Sequence, residues 1–402
     1  MLRGRSLLAL VLLVSCAHAL VHLYELALPS VELLIGRRYE VDTVVTGWLC
    51  TTWRFPFGAG ALAAGWLVDR IGSRRMLAIY LLGAGGCCLI VSLLDDLRFI
   101  FPVMFLMGAA CSIYHPAGLA LLSHETDPDS RTRALGLHGI FGSAGIAAAP
   151  FLAGLALAAG VSWWGYYGLL AVPGLLLGLW FLWLSLQTKE AERDSHSLTR
   201  RHDPADEAAD WPSYFVLTAL AVLQGLIYAG VLSFLPRYIH DAHLFSSEAG
   251  ESVANYLTAA VLLLGCIGQY LAGRFGRADR LERQLTVVTA LNIPFLVSMG
   301  FATGPFRVLA AGLWAIVHFM HQPLYNSLIA KYSPRSRRSL CYGFSFAMGF
   351  GLGSFGASLA GTLDSPSLTY GVLAVLASIA SGCGLMLVRR NRQSSLRTEP
   401  GN

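Results

Sequence analysis

Apolar runs about twenty residues long, separated by short polar stretches, recur along the whole chain. A helix crossing the hydrocarbon core of a bilayer needs about 20 mostly apolar residues. Windows of that kind fall at 7–35, 43–68, 76–94, 99–123, 133–159 and 162–186, and again at 213–239, 253–273, 285–303, 306–330, 339–363 and 367–388. The pattern predicts an all-α membrane protein with twelve transmembrane helices. The stretch after the sixth window is rich in Lys, Glu, Arg, Asp, His and Ser and has no apolar period, so it reads as a solvated linker. The expected organisation is a six-helix half over 1–186, a linker over 187–212, a second six-helix half over 213–388 and a tail over 389–402.

Composition narrows the class further. Of the 402 residues 55% are hydrophobic and only 13% charged, and the mean hydropathy is +0.57. Soluble domains carry about 25% charged residues, so a water-soluble enzyme of this size is excluded, and the apolar fraction also excludes disorder. The net charge of +5 is not gathered into one patch, so no nucleic-acid partner is expected; the lipid bilayer is the main solvent. Basic residues instead recur in clusters between the apolar windows. With both termini cytoplasmic, 23 of the 29 Lys and Arg residues lie inside, while Arg37, Arg38, Arg98, Arg237 and Arg307 lie outside and Arg54 falls within a span. That bias orients the chain in the cell (inner) membrane as a multi-pass protein. The eight cysteines form no C-x-x-C pair, so neither a zinc finger nor a disulfide framework is indicated. The first sixteen residues look like a signal sequence, but the apolar run continues to Ile35, and the first span is expected to remain.

The two halves repeat each other. At an offset of 207 residues Pro29 meets Pro236, Pro116 meets Pro323, Arg131 meets Arg338, and Gly136, Gly142 and Gly154 meet Gly343, Gly349 and Gly361. Single matches of this kind arise by chance in a Gly-rich chain; six at one offset mark a duplication. The loop after the second span reads Gly65-Trp66-Leu67-Val68-Asp69-Arg70-Ile71-Gly72-Ser73-Arg74-Arg75. Gly72 suits the tight turn and Gly65 a close helix approach. The fifth span carries Gly145, Pro150 and Gly154, small residues and a bend suited to a sealing helix.

These features resemble the major facilitator superfamily, whose duplicated halves share one orientation and hold their site at the midplane. The loop is similar to that family's signature loop, with Ser73 standing where a basic residue is usual. The resemblance implies that Asp69 latches the cytoplasmic side by meeting the N-terminal end of span 11, where a carboxylate is favourable. In the second half Leu271-Ala272-Gly273-Arg274-Phe275-Gly276 is a worn copy without the acid. Gly145, Pro150 and Gly154 resemble the antiporter motif of the superfamily's drug exporters, with Ala149 in place of one glycine. Tyr114-His115-Pro116 resembles the fosmidomycin-resistance group of exporters. The resemblance therefore implies a drug-resistance type of proton-coupled efflux.

Span 1 carries the most chemistry. His18, His22, Glu25, Pro29 and Glu32 follow a 4-3-4-3 spacing, which at 100° per residue places them on one face. Ionisable side chains at membrane depth are costly and turn toward a cavity or a partner. Arg54 of span 2 lies at the depth of Glu25, so an ion pair is expected. The equivalent places in span 7 hold Gly225, Ala229 and Leu232, so the charged stripe belongs to one half, as a site would. His318, Gln322 and Tyr325 of span 10 share a helical face. With His138 of span 5 they are expected to form the far wall of a cavity, facing His115 of span 4, which lines it together with His22. His18, His22 and Glu25 are legal metal ligands, but no cysteine or downstream partner completes the set.

No G-x-x-x-x-G-K-[ST] pattern occurs, so an ion gradient rather than ATP is the expected energy source, and no cofactor is expected. The reading is a monomeric secondary transporter exchanging a small organic, anionic or drug-like solute for protons. Glu25 carries the proton, Arg54 binds solute or tunes Glu25, and Asp69, Arg70, Arg74 and Arg75 belong to the gate. A metal or metal-chelate importer and a membrane-embedded enzyme remain as other readings, the latter opposed by the lack of a nucleophile–base motif.

Overall fold

A computed structural model describes residues 4–126, 128–187, 209–244, 250–334 and 337–398. The expected linker falls mostly at 188–208, outside the described residues. The N-terminal helices are α1 (Gly4–Tyr39), α2 (Thr43–Ala59), α3 (Ala61–Ile71), α4 (Ser73–Leu93), α5 (Leu97–Cys111), α6 (Tyr114–Glu125), α7 (Pro128–Ala158) and α8 (Trp163–Gln187). The C-terminal helices are α9 (Trp211–His240), α10 (Gly250–Phe275), α11 (Leu281–Phe301), α12 (Phe306–Tyr332), α13 (Arg338–Phe346), α14 (Phe355–Gly361) and α15 (Pro366–Thr398). A π-helical stretch, Ala347–Gly351, and a short 3₁₀ turn, Leu352–Ser354, join α13 to α14.

Ten helical stretches among the described residues are long and apolar enough to cross a membrane. The other two windows, 43–68 and 306–330, are helical as well. The first divides at Gly60 into α2 and α3, each short of a span, and the second lies in α12, which carries His318, His321, Gln322 and Asn326. The chain also departs from expectation at its end: residues 389–398, read as a solvated tail, continue α15. There Arg390 reaches the Ser213 hydroxyl at 3.0 Å and ties α15 to the start of α9.

Large apolar side chains such as Leu93, Leu176, Trp180 and Phe301 face outward, as lipid contact requires. Inside, helices meet through glycine. In the N-terminal group α1 packs on α7 and α4 on α8; in the C-terminal group α11 packs on α15 and α10 on α12. The two groups touch along α2 with α14 and the π-helical stretch, and along α7 with α10. A methyl group added at Gly58 would fall 2.2 Å from the Gly351 nitrogen, and one at Gly361 would fall 2.2 Å from the Thr43 carbonyl oxygen. Backbones can approach that closely only where the side chain is missing.

Candidate functional site

Glu25 is the hub of the interior. It is 1% exposed; one carboxylate oxygen accepts from Arg54 Nη1 at 2.7 Å and the other lies 2.8 Å from His22 Nδ1. Helical spacing sets the second contact, since residues three apart share a face. The first joins α1 to α2, as the matching depths of Glu25 and Arg54 predict. Arg54 is itself buried, and its Nη2 has no hydrogen-bond partner within the described protein. Tyr228 of α9, in the other helix group, lies over the guanidinium at 5.4 Å from the ring centre. The pair thus lies where the two groups meet.

A histidine cluster adjoins this pair. His18 stacks on His138 of α7 with ring centres 4.0 Å apart and lies 5.0 Å from His22 and 5.5 Å from His115. His18 Nδ1 is 2.8 Å from the His138 carbonyl oxygen. Tyr114 donates its hydroxyl to the Val14 carbonyl at 3.0 Å and lies 2.6 Å from His138 Nε2. Gly142 makes room for the cluster, because a methyl there would meet the His18 ring at 2.3 Å. α5 ends at Cys111 and α6 begins at Tyr114, so Pro116 sits in the first turn of a new helix, where its missing N–H costs little. That break points Tyr114 and His115 inward. His115 contacts Phe57 and, across the divide, Phe346.

Further along α1, Glu32 is gripped by Arg237 of α9 through two bonds of 2.8 and 2.9 Å, and Thr46 donates to the same carboxylate at 2.5 Å. Arg37 pairs with Glu251 of α10, and Asn255 donates to the Ser30 carbonyl at 3.0 Å. These contacts close the space between the groups at the end where α1 finishes. Toward the opposite end, the last hydrogen bond between the groups among the described residues is Ser143 to Gln269, at 3.1 Å. Beyond it Asp69 is exposed and joins no hydrogen bond or ion pair among the described residues. Arg70 lies over Trp66 at 3.7 Å, Arg74 pairs with Glu125 and Arg75 is exposed. Among the described residues Asp69 makes no polar contact with the start of α13, although α3 and α13 lie near one another.

The structure brings the charged residues of span 1 together with Arg54 and the histidine cluster, and it sets His318 of span 10 against Tyr228, ring centres 6.0 Å apart. His318 lies 3.2 Å from Asn292 Oδ1 and stacks on Trp314 at 4.6 Å, Gln322 is exposed and accepts from Gln269 at 3.0 Å, and Tyr325 stacks on His321 at 5.1 Å. Each has its own neighbours and none touches His115, because α12 packs on α10 and α11 over most of its surface. A second correction concerns Gly65: a methyl there would meet only Pro116, at 3.9 Å, so close packing does not demand glycine. Gly72 does need to be glycine, with φ of 95°. In the fifth-span motif Gly145 abuts the Ala19 carbonyl, 2.3 Å from an added methyl, and Gly154 abuts Ser252 and Tyr256 of α10; Pro150 is buried between them.

Sequence reasoning missed Tyr228, Arg237, Thr46 and Asn292. Arg237 was within reach: Glu32 on a buried stripe needs a cation, and Arg237 is the sole Lys or Arg of α9. Tyr228 carried no such signal, since only packing of α9 against α1 places it over Arg54.

The description "Major Facilitator Superfamily" matches residues 13–358 of the chain. A puromycin resistance protein of Streptomyces alboniger is 32% identical over 157 residues, covering 39% of this chain and 30% of that protein's length. A bacterial homologue of the human lysosomal transporter Spinster, solved in an inward-facing, occupied conformation, superposes with a TM-score of 0.74 at 13% identity over 97% of this chain and 98% of that one. A peptide transporter, POT, in complex with alafosfalin gives 0.73 at 13% identity, over 95% and 94% of the two chains. At such identities these structures speak for the fold alone.

Proposed function

Because this chain belongs to the Major Facilitator Superfamily, and so is a non-enzymatic, multi-pass membrane transporter of a small molecule, we propose that it expels a small organic, anionic or drug-like solute in exchange for protons. Twelve spans in two six-helix halves, with both termini in the cytoplasm of a cell whose inner membrane holds the protein, follow from the apolar windows and the basic-residue bias. In that orientation the end tied by Glu32–Arg237 and Arg37–Glu251 faces outward, and the end that carries Asp69 faces the cytoplasm. Alternating access then breaks the outer ion pairs and engages Asp69 with the start of α13.

The observation that carries the coupling is the shared hold on Glu25. Its carboxylate is bound by Arg54 and His22, and Arg54 in turn lies against the ring of Tyr228 from the other helix group. Ionised Glu25 offers its carboxylate to a donor group of the solute, and protonation withdraws that acceptor. Proton and solute thus compete for one carboxylate, the arrangement exchange requires. Support for drug-type cargo comes from the puromycin-resistance relative.

The test is Glu25→Gln in sealed vesicles with an imposed pH gradient. Proton-coupled flux is lost while the protein remains folded in the membrane. Wild-type flux in that variant removes Glu25 from the mechanism. A panel of candidate drugs in a sensitive host identifies the cargo.

A further inference from the structure

Three of the clustered histidines share a property that proton exchange does not use. One ring nitrogen each from His18, His22 and His115 lies within 4.8 Å of the others. The nitrogens can be assigned from their neighbours. A carbonyl oxygen only accepts, so His18, 2.8 Å from the His138 carbonyl, carries its proton on Nδ1 and leaves Nε2 as a lone pair. His22 Nδ1 faces the Glu25 carboxylate at 2.8 Å and is fixed in the same tautomer. His115 Nε2 is buried with no partner within the described protein. Ring nitrogens of the three histidines therefore come together, His115 Nε2 has no hydrogen-bond partner among the described residues, and His18 and His22 are held through Nδ1 by a carbonyl and a carboxylate. That is the arrangement by which proteins orient metal-ligating histidines. His138 differs: its Nε2 is engaged by Tyr114 and its ring only stacks on His18.

We propose that His18, His22 and His115 form a binding site for a divalent transition-metal ion that favours imidazole, such as Zn²⁺. Imidazole suits zinc, nickel and copper, whereas calcium and magnesium require oxygen ligands. Three protein ligands leave a position for water or solute, as in exchangeable zinc sites. Nitrogens of one zinc ion stand roughly 3.4 Å apart for Zn–N bonds of about 2.0–2.1 Å, so an ion entering the cluster draws the rings inward. His22, with 12% of its side chain exposed, supplies the entrance. The sequence offered His18 and His22 one helical turn apart; the break before α6 brings in the third ligand, 93 residues beyond His22.

The site goes beyond the proton-exchange reading and does not depend on it, so the test uses binding rather than flux. Full-length protein, purified in detergent without a histidine tag, is titrated with Zn²⁺ and separately with Co²⁺, whose visible absorption reports nitrogen ligation. Wild type takes up one ion per chain, saturably. His22→Gln and His115→Gln each weaken binding at least about tenfold, and His124→Gln, at an exposed position of α6, leaves it unchanged. His115→Cys keeps a ligand and retains Co²⁺ with added sulfur charge-transfer absorption, which separates loss of a ligand from loss of the fold. Absence of saturable binding in wild type, or equal binding in the His22→Gln, His115→Gln and wild-type proteins, overturns the proposal. Wild-type flux in Glu25→Gln protein that still binds zinc overturns the exchange reading alone, and absence of zinc binding in wild-type protein with intact proton-coupled flux overturns the metal site alone.

Discussion

Glu25 and Leu232 stand at the same place in the two copies of the duplicated unit, as do Arg54 and Val261, and His138 and Ser345. In the first copy these positions form an ion pair surrounded by histidines. In the second, Leu232 is wholly buried, and Gly225, the counterpart of His18, packs so tightly that an added methyl would fall 1.9 Å from the Gly349 carbonyl. The same scaffold positions are spent on chemistry in one copy and on close packing in the other. Duplication preserves what both halves need to fold and to meet, the prolines and interface glycines, and leaves the interior free to diverge. A charged group that lacks a counterpart in its repeat is therefore a better pointer to a site than a charged group alone.

The sharpest way to break this comparison is to give the first copy the residues of the second. Arg54→Val alone strands a buried carboxylate, and thermal unfolding of the purified protein should register a loss of about 3–5 kcal/mol. Adding Glu25→Leu, to complete the Leu–Val pair of the second copy, should recover most of that loss and restore no flux. Failure of the double variant to recover would show that the pair is also an essential element of the fold.

A smaller effect separates glycines that pack from glycines that do not. Gly145→Ala drives a methyl into the Ala19 carbonyl and should cost about 1–3 kcal/mol. Gly65→Ala should stay within about 0.5 kcal/mol, as read by the melting temperatures of the two variants side by side. The smallest effect concerns the signature loop, whose acid the second copy has lost. Asp69→Asn should slow turnover about two- to fivefold, the kinetic equivalent of the roughly 0.3–1 kcal/mol a carboxylate contributes at a helix N-terminus, with solute affinity nearly unchanged. An affinity loss at unchanged turnover would contradict the latch.

Much of the molecule was legible because a bilayer makes burial nearly one-dimensional. Long apolar windows report helices, since lipid offers the backbone no other partner. The spacing of His18, His22, Glu25 and Glu32 was enough to put them on one stripe. The Glu25–Arg54 pair followed from the cost of an unpaired charge at that depth. Less legible were contacts between helices far apart in sequence: no period marks Tyr228 as lying over Arg54, and a shared face on α12 did not reveal that His318 meets Asn292 and Tyr228, that Gln322 meets Gln269, or that Tyr325 stacks on His321 of its own helix.

By itself the sequence determined that this chain lives in lipid, that its halves share prolines and glycines at one offset, and that the ionisable stripe of span 1 has no counterpart at the equivalent places of span 7. These are properties of length, period and charge, which are local. Tertiary structure alone decided that Arg237 reaches Glu32, that Arg37 of α1 pairs with Glu251 of α10, and that a ring nitrogen of His115 comes close to those of His18 and His22. Each depends on the angle at which one helix crosses another, which packing fixes and no local pattern encodes.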